Sequence, residues 1–154
     1  MSLTIIAVGK TKQSFISQAI LEYQKRLRAY VDVNMIIVPD VKLTKTNTIE
    51  IVKEKEALAL EKKLLKGDYI CLLDESGEEY TSVGFANWLR EITNQRSLTF
   101  IIGGVYGTAE RIKQRADLVL RLSSMTFTHQ MTRLFLYEQL YRAYTILKNK
   151  KYHY

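Results

Sequence analysis

Short apolar segments alternate with longer amphipathic segments along the whole chain. Val33–Val38 and Leu98–Ile102 are strand-sized apolar runs, whereas Ser14–Tyr30 carries apolar side chains at the three- and four-residue spacing of a helix. Strands separated by helices are typical of a mostly parallel sheet covered by helices on both faces. The pattern therefore predicts an α/β fold, and a length of 154 residues suits a single domain over 1–154.

The same pattern predicts the bounds of each element. The predicted strands are Leu3–Val8, Val33–Val38, Tyr69–Asp74, Leu98–Ile102 and Leu118–Leu122. The predicted helices are Ser14–Tyr30, Asn47–Lys66, Ser82–Thr93, Thr108–Ala116 and His129–Lys148. Asn47 and Glu50 resemble a capping box that opens the second helix, and Glu75-Ser76-Gly77 is predicted as a turn.

Cysteine, histidine and hydropathy exclude several classes of protein. The single Cys71 rules out an internal disulfide and fits a reducing cytosol. No apolar run is long enough to cross a bilayer, and Met1–Val8 resembles a first strand rather than a signal peptide. His129 and His153 have no Cys or carboxylate cluster at ligand spacing, so no metal site is expected.

The net charge of +7 favours a polyanionic partner such as RNA. The charge is uneven, because no acidic residue occurs from Gln139 to Tyr154, where Arg142, Lys148, Lys150 and Lys151 are all basic. Cations also suit the C-terminal end of a helix in solvent, so charge alone leaves both explanations open.

Three patches of glycine and polar residues follow consecutive strands. They are Leu73–Gly77, Gly103–Gly107 and Ser123–Phe127. Ligands of open α/β sheets bind outside the carboxyl ends of the strands, so we expect one pocket, whose mixed lining suits an adenine ring and a ribose. The glycine spacing is not a dinucleotide fingerprint, and P-loop and hydrolase-elbow motifs are missing. Tight turns and helix caps would use the same residue types.

The last predicted helix carries the remaining candidate residues. His129 lies at its first turn, where the helix dipole disfavours imidazolium, so a neutral ring is expected. Tyr141 belongs to an aromatic stripe farther along, and Arg133 and Arg142 are candidate phosphate contacts. Helix capping by His129 and core packing by the aromatic stripe are the simpler alternatives.

Taken in order, these segments resemble the rRNA large-subunit methyltransferase H family, of the SPOUT class. The resemblance covers the whole chain and is most specific over 122–143. The matching segments are Ile5–Lys10, Leu72–Asp74 with Gly77, Phe100–Gly104 with Gly107, Leu122–Gln130, Arg133, Glu138–Ala143 and Tyr152-His153.

The resemblance implies a fold, an assembly and a reaction. The C-terminal part of the sheet would form a trefoil knot, and a homodimer would place its active site near the subunit interface. The implied reaction is methylation, by S-adenosylmethionine, of N3 of pseudouridine 1915 in 23S rRNA on the assembled ribosome. Such a substrate implies a cytoplasmic protein.

The resemblance also assigns roles to individual residues. The implied S-adenosylmethionine-binding residues are Leu73, Gly103, Leu122, Ser123, Ser124, Met125, Thr126 and Phe127. His129, Tyr141, Arg142 and His153 fall where the family handles the RNA base. We expect His129 to be the base that removes the imide proton, with Tyr141 assisting. Arg133 and Arg142 would stabilise charge on the imide oxygens or hold phosphates.

Four positions depart from the family pattern. Arg121 stands where a small Ser is common, and Thr128 and Lys151 each replace a usual Pro; Tyr154 stands where a basic residue is usual. The first two are expected to shift the implied cofactor-binding loop at 122–127 slightly, and the last two leave the role of the tail open.

Two other interpretations are an RNA- or ribosome-binding factor without catalysis, and a nucleotide-binding oxidoreductase or hydrolase. Binding of S-adenosylmethionine would distinguish the methyltransferase from the binding factor.

Overall fold

A computed structural model describes residues 2–154. This part of the chain contains five strands and five helices. The strands are β1 (Leu3–Val8), β2 (Val33–Val38), β3 (Tyr69–Glu79), β4 (Leu98–Ile102) and β5 (Leu118–Arg121). The helices are α1 (Ser14–Leu27), α2 (Ile49–Glu61), α3 (Ser82–Gln95), α4 (Glu110–Arg115) and α5 (His129–Leu147).

The strands form one sheet in the order β2-β1-β4-β3-β5, and every pair is parallel. Alternate residues of β1 face opposite sides, so Ile5 packs in one apolar cluster with α1, α3 and α5, whereas Ile6 packs in another with α2 and α4. The predicted α/β class, with helices on both faces of the sheet, is confirmed. The trefoil knot stays a prediction, because strand order and pairing do not define how the chain is threaded.

Several predicted boundaries are wrong for local reasons. Thr48, and not Asn47, caps α2, since its side chain accepts the backbone N–H of Ile51. Asn47 instead binds the ammonium of Lys55. The second and fourth helices are shorter than predicted, and α1 ends at Leu27.

The predicted turn at Glu75-Ser76-Gly77 is the largest error. This segment continues β3, which resumes its pairing with β5 after a bulge, with Glu78 opposite Leu120. After the bulge, the end of β3 lies beside the loop that follows β5.

No helix within residues 2–154 has the length and apolar character needed to span a membrane.

Candidate functional site

The carboxyl ends of β3, β4 and β5 surround a cavity of about 810 Å³. This volume lies in the range of small-molecule and cofactor sites. All three predicted patches reach the cavity, because parallel strands end at the same edge of the sheet. The predicted cofactor residues that line it are Leu73, Gly103, Leu122, Ser123, Met125, Thr126 and Phe127.

Gly103 lies where the cavity wall has no room for a side chain. A Cβ at this position would overlap the hydroxyl of Thr108 and reach the backbone of Gly107 at 3.4 Å. Glycine therefore lets the end of β4 pack against the following loop and presents bare backbone to the cavity. Such a surface suits the close approach of a flat ligand.

The loop 122–127, called the cofactor loop below, is fastened by side chains that sequence reasoning missed. Thr126 Oγ1 donates to Glu75 Oε2 at 3.0 Å, and Ser124 Oγ donates to Glu79 Oε2 at 3.1 Å. The Ser123 hydroxyl accepts the Met125 N–H at 3.0 Å. Ser124 thus faces the end of β3 and is not among the residues that line the cavity. These hydrogen bonds fix the conformation of the loop, and its apolar side chains line the cavity.

Arg121 pairs with the same Glu79 carboxylate that holds Ser124. Its guanidinium Nη2 lies 3.0 Å from Glu79 Oε2, and the residue lines the cavity. Both side chains are partly exposed, so this pair contributes about 1 kcal/mol or less to stability. Arg121 therefore adds positive charge at the rim of the cavity without being buried alone.

His129 lines the cavity from the start of α5. Thr128 caps the helix, because its hydroxyl oxygen accepts the Met131 N–H at 3.2 Å. Burial lowers the pKa of His129, and the positive charges of Arg133 and Lys12 lower it further, while Asp40 opposes them. The imidazole is therefore neutral at pH 7, as the sequence predicts.

Gln130 is a buried residue of the site for which the sequence predicted no role, although it ends the matching segment Leu122–Gln130. Its amide bridges α5 and the loop after β1, because Oε1 accepts the Lys12 N–H at 3.0 Å and Nε2 donates to the Lys10 carbonyl at 3.1 Å. Nε2 also lies 3.2 Å from Nε2 of His129. The sequence signals for it are its place in that segment and its position next to His129.

The structure does not place Arg133 where a phosphate can reach it. The side chain is fully buried, with Nη2 donating to the Val8 carbonyl at 2.7 Å and Nη1 donating to Thr11 Oγ1 at 3.1 Å. Burial lowers the pKa of Arg133 to about 10, which leaves it charged at pH 7. Its contacts tie α5 to the end of β1, so the expected phosphate contact is replaced by a structural role.

Tyr141, Arg142 and His153 form a second cluster, outside the cavity. Glu138 organises it, accepting from Arg142 Nη2 at 2.6 Å and from the Tyr152 hydroxyl at 3.1 Å. Arg142 Nη1 lies 3.2 Å from His153 Nδ1, and the ring of Tyr141 packs edge-on against that of Tyr152 with centroids 4.7 Å apart. We call these five residues the tail cluster.

His129 begins α5, whereas the tail-cluster residues on this helix lie in its middle and toward its C-terminal end. Tyr141 follows His129 by twelve residues, which corresponds to about 18 Å along a helix that rises 1.5 Å per residue. One copy of the chain therefore does not bring the two groups of predicted RNA-handling residues together.

The cavity residues fit a ligand with an apolar ring, hydroxyls and a positive charge. Leu73, Leu122 and Met125 supply apolar surface. Asp74, which pairs with Lys113 at 3.5 Å, and Glu75, which accepts from Thr126, bring carboxylates to the lining. Carboxylates favour a nearby cation such as a sulfonium or an amine. No group of three or more His, Cys, Asp or Glu side chains within residues 2–154 is arranged to hold a metal ion.

Comparison with known proteins agrees with this architecture. The family model described as "Predicted SPOUT methyltransferase" matches residues 1–153. The chain is 45% identical to the ribosomal RNA large subunit methyltransferase H of Phocaeicola vulgatus, over 99% of both chains. Proteins of the same name from Flavobacterium johnsoniae and Halothermothrix orenii are each 43% identical, again over 99% of both chains. A match of this extent includes every loop that forms the cavity, and the chain therefore belongs to the SPOUT methyltransferase family.

Proposed function

We propose that residues 1–154 form one methyltransferase domain that uses S-adenosylmethionine to methylate N3 of pseudouridine 1915 in 23S rRNA. The observation that carries the proposal is the meeting of three strand-end loops around one cavity of about 810 Å³. The family membership and the relatives' names supply the reaction class and the RNA. A ribosomal substrate would place the protein in the cytoplasm.

The cofactor would lie against the cofactor loop, Leu73 and Gly103. S-adenosylmethionine supplies an electrophilic methyl group, so the protein's task is to hold the RNA base in line with it. Bare backbone at Gly103 and apolar side chains such as Met125 suit the adenosine, and the carboxylates of Asp74 and Glu75 favour the positive charge. Ser124 would act indirectly, by fastening the loop to Glu79.

The RNA base would meet His129 from its own subunit and the tail cluster from a second copy of the chain. The separation of about 18 Å along α5 supports this arrangement, because one copy of the chain does not bring both groups of residues to the same base. We therefore propose a homodimer in which Tyr141, Arg142 and His153 of one subunit face the cavity of the other. His129 and Tyr141 are the proposed catalytic residues, and Arg142 and His153 are the proposed RNA contacts.

The reaction balances without a covalent link to the protein. N3 of the pseudouridine would lose its proton, which ends in solvent, and the electron pair left on N3 would form the new bond to the methyl carbon. The electrons of the broken carbon–sulfur bond would remain on sulfur, so that the cofactor would leave as a neutral thioether. Negative charge accumulates on the imide oxygens when the proton leaves, so hydrogen-bond donors at these oxygens favour the reaction.

A chain of 17.9 kDa has little surface with which to read an RNA sequence. We propose that it recognises the shape of a ribosomal surface, assisted by the summed positive charge of two subunits. Assembled ribosomes are then better substrates than free rRNA. Efficient methylation of a short naked hairpin would contradict this part of the proposal.

The decisive experiment is transfer of a labelled methyl group from S-adenosylmethionine to ribosomes that lack the modification. We expect label at N3 of pseudouridine 1915, located by mass mapping of the nucleotides. Calorimetry should also detect binding of the cofactor to the free protein. A protein that binds ribosomes but neither binds the cofactor nor transfers label would instead be a binding factor on the same fold.

A further inference from the structure

The amide of Gln130 has a fixed orientation. Only 7% of the residue is exposed, and its two ends meet backbone groups of opposite kind. Oε1 faces a donor, the Lys12 N–H, and Nε2 faces an acceptor, the Lys10 carbonyl. Reversing the amide would place an oxygen against a carbonyl and an NH2 group against an N–H. The two backbone contacts therefore identify which end of the amide is the donor.

This orientation decides the role of the neighbouring imidazole nitrogen. Nε2 of Gln130 lies 3.2 Å from Nε2 of His129, and an amide nitrogen only donates hydrogen bonds. Nε2 of His129 must then accept, which requires that it carry no proton. A neutral imidazole carries one proton, so that proton is on Nδ1.

We propose that Gln130 is a positioning residue that holds His129 in the Nδ1–H tautomer, so that His129 donates a hydrogen bond to the RNA base instead of accepting its proton. With Nε2 occupied by Gln130, Nδ1 is the nitrogen left for a ligand in the cavity that His129 lines. The substrate part of this inference rests on the proposed function, whereas the tautomer is a property of the free protein.

A donor at this position suits the charge that the reaction develops. Loss of the N3 proton places negative charge on the imide oxygens, and an N–H directed at one of them stabilises it without any change in the protonation of the ring. The proton then leaves to solvent water, and His129 stays neutral throughout. This role differs from the proton acceptor that the sequence suggested for His129.

The charges around His129 keep the ring neutral. Arg133 on the same helix and Lys12 in the loop after β1 lower the pKa of His129 together with burial, and Asp40 after β2 opposes them. Protonation of Nε2 would also place its hydrogen against the amide hydrogens of Gln130. Both effects disfavour imidazolium, which is the form that a proton acceptor has to reach.

Nitrogen-15 NMR of the free protein tests the tautomer directly. We expect the His129 ring to show a protonated Nδ1 and an unprotonated Nε2 at pH 7. The chain has one other histidine, so the spectrum of His153→Gln assigns the signals. Gln130→Glu replaces the donor by an acceptor, so the proton should move to Nε2. Gln95→Glu, the same change at an exposed position on α3, should leave the ring unchanged. A protonated Nε2 in the unsubstituted protein would overturn the inference.

Amide substitutions of His129 test the donor role in catalysis. The side-chain nitrogen of Asn occupies the place of Nδ1, and it donates a hydrogen bond but does not take up a proton. His129→Asn should keep turnover on ribosomes within about tenfold of the unsubstituted protein, whereas His129→Ala should lose about 10²–10³-fold, as for loss of one oxyanion donor. His129→Gln, whose amide occupies the place of Nε2, is the matched control and should resemble His129→Ala.

The pH dependence separates a donor from a proton acceptor. If His129 only donates, the profile of kcat/KM for His129→Asn should keep the shape of the unsubstituted protein. The donor role is overturned if His129→Asn is as slow as His129→Ala, or if a limb of the profile disappears with the imidazole. If the unsubstituted protein methylates no ribosomal RNA, the proposed function fails while the NMR result still decides the tautomer.

Discussion

Glu56 on α2 is a buried carboxyl beside the wall of the cavity. It is 4% exposed, and its Oε2 accepts the Val41 N–H at 3.0 Å. Its Oε1 has no hydrogen-bond partner among the described residues and lies next to Gly104. Burial raises the pKa of Glu56, and the charge of Asp40 adds to this effect, while the Val41 N–H opposes it. The ionised carboxyl is therefore the unfavourable form in the folded protein.

Glu56→Gln should increase the free energy of unfolding at pH 8 and change it less at pH 4. The folded pKa lies above the unfolded one, so the penalty is absent below the unfolded pKa and grows as pH rises through the folded pKa. The amide oxygen keeps the bond from Val41, and no charge remains buried. Urea denaturation at the two pH values measures the effect. Glu91→Gln on the exposed face of α3 is the control, and a loss of stability at pH 8 in Glu56→Gln would refute the argument.

A site residue can be predicted from the sequence when its position follows from the local element, and not when distant contacts determine it. Leu73, Gly103 and Met125 follow strand ends, and parallel strands bring such positions to one edge whatever the rest of the chain does. Arg133 was expected at the surface, because arginine is rarely buried unless it has partners. Its partners are the Val8 carbonyl and the Thr11 hydroxyl, more than a hundred residues away along the chain, so no local pattern predicts its burial.

At the scale of elements, the far end of β3 is the part of the fold that sequence reasoning missed. The segment Asp74–Glu79 has five polar residues and a glycine, and it lacks the apolar alternation that marks a strand. It is nevertheless a strand, because after a bulge its backbone pairs with β5. This pairing does not require apolar side chains in the segment. The carboxylates of Glu75 and Glu79 then hold the cofactor loop through Thr126 and Ser124.

Gly77→Ala should disrupt this extension and loosen the cofactor loop. A Cβ on Gly77 would lie 2.6 Å from Leu120 N and from the carbonyl group of Val119, and both are backbone that does not rotate away. We expect a loss of about 1–3 kcal/mol in the free energy of unfolding, as for other overpacked sites. Cofactor affinity measured by calorimetry should fall as well. Glu78→Ala, at the exposed neighbouring position, is the control. Unchanged stability and affinity in Gly77→Ala would show that the extension does not support the loop.

At the scale of the whole molecule, α5 is the element that divides the site. Its first turn faces the cavity through His129, and its last turns carry Arg142 and the contacts that fold the tail back onto the helix. A helix is stiff, so the separation of about 18 Å between His129 and Tyr141 persists in any single copy. The proposed two-fold dimer would remove this problem, because each contact would occur twice and each cavity would receive the tail of the other subunit.

Mixed dimers test this arrangement. Gly103→Val blocks the cavity of its own subunit, and Arg142→Ala removes a tail residue, so a dimer of either variant alone should be inactive. A heterodimer with one substitution in each subunit, isolated through two different tags, keeps one intact site of two and should show about half of the unsubstituted turnover on ribosomes.

The control heterodimer carries both substitutions in one subunit and none in the other. If the two subunits share each site, the control carries a defect in both sites and is inactive. If each subunit works alone, the control keeps half of the activity and the first heterodimer is inactive. The two arrangements thus predict opposite results from the same pair of substitutions, and folding defects common to both heterodimers do not produce that reversal.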